Sequence, residues 1–133
     1  MAKTKTTIKT TYVDGFVLVV PKANVAAYRK LAKMASKMWM KHGALEYKEC
    51  MGDDMSPNTG GTPALNFPKM IKAKEGDTVW FSYITYASRA HRDEVNKKVM
   101  AEMEKKYEKH KDMPMPFDMK RMAYGGFKVI VNG

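Results

Sequence analysis

The apolar residues of this chain change period in the order strand, helix, strand, strand, helix, strand, and few folds accept that order. Tyr12–Pro21 (YVDGFVLVVP) is β-branched and aromatic, runs almost continuously apolar from Phe16 and stops at Pro21, which predicts a strand shielded on both faces. From Asn24, a residue suited to cap a helix, the period changes. Val25, Tyr28, Leu31, Ala32, Ala35, Met38, Trp39 and His42 fall on one helical face, and Gly43 stands where such a helix would end. Ala44–Cys50 alternates, with Leu45, Tyr47 and Glu49 on one side and Glu46 and Lys48 on the other, as a strand near a sheet edge would. Thr78–Tyr86 (TVWFSYITY) reads most plainly as a strand. Ser88 suits the cap of a second helix that carries Arg92, Val95, Val99, Met103 and Tyr107 at steps of three and four. Gly52–Pro68 is a loop by composition, Phe67–Ala73 fits either a helical turn or a short strand, Asp112–Pro116 is a Met/Pro linker, and Met122–Val131 reads as the last strand.

Two βαβ halves in this order predict an α+β fold of ferredoxin-like βαββαβ type, an antiparallel sheet with both helices on one face. The first, third and fourth strands are too apolar for their other face to meet water, and a second copy of the chain is the simplest cover, giving a homodimer through the sheet face. A length of 133 residues suits one domain. The opening MAKTKTTIKTT is basic and lacks the apolar stretch of a secretory leader. Residues 1–11 are therefore expected to be a flexible basic tail, and residues 12–131 a single domain. No apolar run approaches the roughly 20 residues that cross a bilayer, so the expectation is no membrane and a cytoplasmic location.

Lysine and arginine number 24 against 14 acids, a net charge of +10. Six of the basic residues and no acid lie between Lys22 and Leu45, and Lys30, Lys33, Lys37 and Lys41 form a stripe opposite the apolar one. That stripe reads first as a solvated helix face and second as an anion-binding surface. The single Cys50 admits no internal disulfide, and reads as structural rather than nucleophilic. Thirteen methionines fit either a plastic core or compositional drift.

Four stretches carry a family likeness: YVDGFV, the helix ending in HGAL, FSYITYASRAHRDEVN, and the closing MPFDMKRMAYGGF, of which PFDMKRMAYGGF is the most specific. From Tyr12 to Phe127 the chain resembles a bacterial family of small uncharacterised proteins, the YbaA-like group, and departs from it in a longer NTGGTP loop. The group is similar to the dimeric α+β barrel superfamily, so the resemblance implies two ferredoxin-like protomers packed sheet to sheet. That superfamily includes small monooxygenases, isomerases and haem-degrading enzymes with a pocket between sheet and helices. The family has no assigned reaction, so the likeness supplies a fold and leaves the chemistry open.

If the first two strands run one way and the last two the other, one end of the sheet gathers Tyr12, Asp14, Trp39, His42, Tyr83, Tyr86, Arg89, His91 and Arg92. Asp14 is a carboxylate in an apolar strand, where lacking a partner would be costly, and Arg92 and the opening N–H groups of the second helix are its candidates. Read functionally, Asp14, His42 and Arg92 are the catalytic candidates, with His42 carrying a proton, Arg92 holding an acidic or carbonyl-bearing ligand, and Tyr12, Trp39, Tyr83 and Tyr86 lining the pocket. Read structurally, Asp14–Arg92 is an ion pair and His42 ends a helix. At the other end Asp118 and Arg121 are expected to pin the loop before the last strand. Gly125-Gly126 is expected to permit a bulge or the close approach of the partner sheet.

No His, Cys or carboxylate spacing suits a metal and no phosphate-loop or nucleophile-elbow motif occurs, so neither metal nor cofactor is expected. RNA-recognition domains share the βαββαβ order, which makes nucleic-acid binding the rival reading. The third strand lacks their glycine and basic residue, and the basic stripe lies on the wrong side of the sheet. The reading is a dimeric small-molecule-binding protein, with a cofactor-independent enzyme of monooxygenase or isomerase type as the form the superfamily suggests.

Overall fold

The β-branched and aromatic runs do form the strands, and their pairing sets everything else. The computed structural model describes residues 8–110 and 115–133. The parts of the expected basic tail at 1–7 and of the expected linker at 111–114 lie outside the described residues, as does the side chain of Tyr107. Strands β1 (Tyr12–Pro21), β2 (Glu46–Met51), β3 (Asp77–Tyr86) and β4 (Ala123–Lys128) make one open antiparallel sheet in the order β2-β3-β1-β4. β1 and β2 run one way, β3 and β4 the other. Helices α1 (Val25–Lys41) and α3 (Arg89–His110) are the long ones, and α2 (Phe67–Met70) is a single turn capped by Asn66. The chain is thus an α+β protein.

Alternation along the strands separates two faces. Tyr12, Asp14, Phe16, Leu18 and Val20 of β1 share one face with Trp80, Ser82, Ile84 and Tyr86 of β3. Residues of this face alone pack against the helices. One core cluster joins Tyr12, Ile84 and Tyr86 to Met38 of α1 and Val95 and Val99 of α3, and a second joins Leu18, Val20 and Trp80 to Tyr28 and Ala32 of α1. Both long helices therefore lie on the same side of the sheet.

α1 buries the predicted stripe and leaves Lys30, Lys33, Lys37 and Lys41 exposed. It ends at Gly43, whose φ of +110° is a conformation that glycine adopts without strain. Asn24 stands at the cap position, but its amide donates instead to the Pro116 carbonyl at 3.1 Å, tying α1 to the segment before β4. Ser88 does cap α3: its hydroxyl accepts the His91 N–H at 3.0 Å, and His91 Nδ1 accepts the Ala87 N–H at 3.0 Å, a reciprocal cap with histidine in the acidic residue's place. The stripe predicted through Met103 stops at Val99, because α3 covers the sheet only with its first turns and Met103 is exposed. The last strand is likewise shorter than Met122–Val131. Its partner β1 begins at Tyr12, opposite Lys128, so Ile130 and Val131 have no ladder to join. Eight methionines are exposed, and only Met38 is fully buried among the described residues, so methionine is a surface residue here more than a core one.

Gly125 and Gly126 sit in an unbroken register opposite Gly15 and Asp14, with no bulge. Within the chain, the close approach they permit is by its own rings. A Cβ on Gly126 would lie 2.9 Å from Cε2 and Cζ of Tyr12, and on the other face the Phe127 ring lies 3.5 Å from where a Gly15 Cβ would be. Gly126→Ala is expected to push the Tyr12 ring aside and cost about 1–3 kcal/mol, measured by denaturant unfolding. Gly125→Ala, with only van der Waals neighbours, should cost less.

Candidate functional site

Asp14 on β1 points into the helix-covered face and is 1% exposed. Arg92, in the first turn of α3, donates through Nη1 to its carboxylate at 2.7 Å and through Nε to exposed Asp93 at 2.8 Å. The same guanidinium lies 5.0 Å above the Tyr12 ring. Tyr86 and Asn96 complete the shell of Asp14, and Asn96 Oδ1 accepts the indole N–H of Trp39 at 3.1 Å. Burial pushes the Asp14 carboxyl above the ordinary carboxylate range, against the downward pull of Arg92. No buried side-chain N or O atom among the described residues lacks a partner, so this cluster is closed and fully satisfied.

The structure thus brings together Tyr12, Asp14, Tyr86, Arg92 and, through Asn96, Trp39. His42 is not among them. It ends α1 and bonds Glu102 of α3 at 2.7 Å, and His42, Lys41 and Lys106 together lower the Glu102 carboxyl to about 2. Tyr83, one residue out of phase with Tyr86, lies on the opposite face of the sheet beside Phe81. Asp118 and Arg121 lie at the far end of the sheet and do not pair through their side chains. Asp118 caps its own turn by accepting the Lys120 N–H at 2.9 Å, while Arg121 reaches Asp77 at 2.8 Å and the Lys72 carbonyl at 3.2 Å. The loop before β4 is therefore tied to the start of β3.

A second polar cluster, invisible in the sequence reading, centres on Glu49 of β2. Its Oε1 accepts the Tyr28 hydroxyl of α1 at 2.8 Å and a short hydrogen bond from Ser82 of β3, and its Oε2 accepts the Tyr47 hydroxyl at 2.7 Å. Glu49 and Tyr47 line a cleft of about 420 Å³ between α1 and the β2 edge, with Val25, Ala32, Met51 and Trp80 as apolar walls and Ser36 beside them. Arg29 and Lys33, both exposed, stand at its rim. The arrangement offers an acidic ligand two cations at the mouth and an apolar bed for its body, with the Ser36 hydroxyl and the bonded Tyr47–Glu49 pair along the wall. The rings of Trp39 and Tyr47, 6.1 Å apart, connect this cluster to that of Asp14. The available signal was Glu49 falling in phase with Tyr47. The partners Tyr28 and Ser82 come from the β2–β3 register, which sets Glu49 against Ser82, and from the seating of α1.

Burial first, and then the charge and hydrogen bond of Glu49, hold the Tyr28 and Tyr47 phenols well above the ordinary value of 10.0. Burial does the same for Tyr86. A raised folded-state pKa contributes stability that is complete below the unfolded value and is lost as pH climbs past it. Tyr28, Tyr47 and Tyr86 should therefore stay un-ionised through the ordinary phenol range. In an ultraviolet titration their phenolate absorbance should appear only together with loss of the far-ultraviolet dichroism.

The family described as "Protein of unknown function (DUF1428)" matches residues 11–119. The chain belongs to this family. The DUF1428 chain is 39% identical over 121 residues to "Uncharacterized protein YbaA" of Escherichia coli K12, covering 91% of this chain and 97% of that one, and equally to YbaA of Shigella flexneri. A solved structure of a putative amidohydrolase/peptidase from Burkholderia cenocepacia overlaps 91% of this DUF1428 chain and 27% of its own at 8% identity. Its TM-score is 0.30, too slight a likeness to bear on fold or function. Among the described residues of this DUF1428 protein, no helix is long and apolar enough to cross a membrane, and no three His, Cys, Asp or Glu side chains stand close enough to share a metal.

Proposed function

We propose that this protein is a cytoplasmic homodimer that binds a small acidic or carbonyl-bearing molecule in the cleft between α1 and the sheet. The cleft itself carries the reading: Glu49 and Tyr47 line it, the Tyr28, Tyr47 and Ser82 hydroxyls hold the Glu49 carboxylate, and Arg29 and Lys33 stand at its rim. In this reading Glu49, Tyr47 and Trp80 meet the ligand. Asp14, Arg92, Tyr12 and Tyr86 hold Trp39 and Tyr47 in place behind the wall. A cofactor-independent reaction of isomerase or monooxygenase type is the finer form of the proposal; Asp14 paired with Arg92, and His42 paired with Glu102, brace the elements around the cleft and do not line it.

The strand order β2-β3-β1-β4 supports a ferredoxin-like plan, and the sheet face turned away from the long helices, buried at Val19, Val79 and Thr85 but open around Phe81 and Phe127, supports a dimeric α+β barrel. That face presents Phe81, 46% exposed, and Phe127, 63% exposed, with Tyr83, Val13 and Val17 between them, and its strand charges are Glu46 and Lys48 on the β2 edge. So apolar a surface favours a second copy of itself over a nucleic-acid backbone.

Native mass spectrometry under gentle conditions tests both halves. A dimer retaining a small extra mass is expected, with Phe81→Glu giving monomer and Arg29→Glu with Lys33→Glu losing the extra mass. A bare monomer at micromolar concentration overturns the dimer. A ligand-free dimer that binds none of a set of small keto acids and carboxylic acids by calorimetry overturns the cleft. A salt-dependent shift of labelled single-stranded RNA at physiological ionic strength, abolished by Phe81→Glu, would replace this reading with the nucleic-acid one.

A further inference from the structure

On the other edge of the sheet, beside β4, a cleft of about 410 Å³ is lined by Lys72, Lys74, Lys120 and Arg121 over Met70, Ile71, Met122 and Ala123. No acidic residue lines it. None of the three lysine ammoniums pairs with a carboxylate among the described residues. The acids nearby are occupied or turned to other work: Asp77 accepts from Arg121 and from the Lys74 N–H, and Asp118 accepts the Lys120 N–H. Glu75 lies in the turn between Lys74 and Asp77 and pairs with no cation among the described residues.

The wall is built rather than incidental. Arg121 is held by Asp77 and by the Lys72 carbonyl, which fixes its guanidinium against the cleft. Lys72 itself has φ of +56°, the only non-glycine residue in the left-handed region among the described residues, and the turn around it is closed by the Ala73 N–H to the Pro68 carbonyl at 2.8 Å. A lysine held in so unfavourable a conformation, at a position where glycine would be relaxed, lines this cleft together with three other cations. Three lysine ammoniums without a carboxylate partner, beside the Arg121–Asp77 pair, line one small volume, and a multiply charged anion there gains charge-assisted hydrogen bonds from several of them at once.

We propose that this cleft is a second binding site, for the multiply charged anionic group of a small molecule, a phosphate ester or a polycarboxylate, with the apolar floor taking a short hydrocarbon portion. It stands apart from the Glu49 cleft, which lies along β2, so either can fail without the other.

The test is an amide nuclear magnetic resonance titration of the full chain at physiological ionic strength, with inorganic pyrophosphate in one series and citrate in the other. Saturable one-site shifts confined to residues 70–74 and 119–123 are expected. The stronger of the two probes then tells a phosphate ligand from a carboxylate one. The double variant Lys74→Gln/Lys120→Gln should weaken binding about tenfold or more, since two charge-assisted contacts are lost. Lys30→Gln/Lys37→Gln removes the same charge from α1 and should change binding by no more than about twofold. The spectrum of each variant reports its fold directly. Absent shifts, shifts spread along α1, or equal weakening by the two double variants would each overturn the site.

Discussion

Methionine in place of Arg92 is expected to destabilise the chain by about 3–5 kcal/mol at neutral pH, measured as the loss in denaturant unfolding free energy. The change keeps most of the side-chain volume and removes the cation from a carboxylate whose side chain is only 2% exposed. Tyr86 and Asn96 remain beside Asp14, but neither supplies charge, so the buried carboxylate becomes an uncompensated one. The pH dependence carries a definite sign. Asp14 already has a folded-state pKa raised above the ordinary 3.8 by burial, and losing Arg92 raises it further. Stability from such a group is complete below the unfolded pKa and is lost as pH rises through the folded one, so the deficit of the variant should shrink on going from about pH 7 to about pH 4. Asp14→Asn added to Arg92→Met should recover much of the loss at neutral pH, because the amide carries no charge to bury. A single variant with the wild-type midpoint at neutral pH would mean that Asp14 is held without Arg92 and is protonated in the native chain.

Removing the carboxylate of Glu49 is the second large effect. Glu49→Ala should cost about 2–3 kcal/mol, because the hydroxyls of Tyr28, Tyr47 and Ser82 lose their common acceptor in surroundings where Tyr28 is 5% and Ser82 4% exposed. Glu49→Gln retains the shape and one accepting oxygen and should cost less. It also removes the charge that, after burial, holds the Tyr28 and Tyr47 phenols up, so their phenolate absorbance should begin at lower pH than in the wild type. In the proposed site Glu49→Ala should weaken the ligand by loosening the wall, whereas Glu49→Gln, which keeps the shape and removes a charge of the ligand's own sign, should not. If Glu49→Ala keeps full stability, water has replaced the carboxylate and the cluster is wetter than its burial indicates. If it keeps full ligand affinity, the cleft is not where the ligand sits.

How far the residues could be read in advance differs from element to element. Asp14 stood out as a carboxylate in an apolar strand, and its pairing with Arg92 followed from strand direction and the start of the second helix. Both depend on local period and element order, which a sequence displays. His42 and Tyr83 were assigned to the same end on the same reasoning, yet the structure separates them. His42 leaves α1 toward Glu102, a choice set by the rotation of α1 against α3. Tyr83 differs from Tyr86 by an odd number of residues, and in a period of two that alone sends it to the other face.

Glu49 shows the complementary case. Its phase with Tyr47 was plain, but a glutamate on an edge strand ordinarily reaches water, and only the meeting of β2, β3 and α1 surrounds it with three hydroxyls. The basic cleft beside β4 has the same origin. Lys72 and Lys74 are 46 or more residues from Lys120 and Arg121 in the chain, so only the fold brings the two segments together.

By itself the sequence determined where the four strands and two long helices lie, which face of α1 is apolar, where α1 ends and where α3 begins. Those features rest on interactions within a few residues: alternation, helical spacing, capping hydroxyls and the freedom of Gly43. Tertiary structure alone decided that Glu49 gathers Tyr28, Tyr47 and Ser82, that His42 turns to Glu102, and that four cations meet beside β4. Each of those depends on the register between strands and the seating of helices on the sheet, where a shift of one residue exchanges every neighbour.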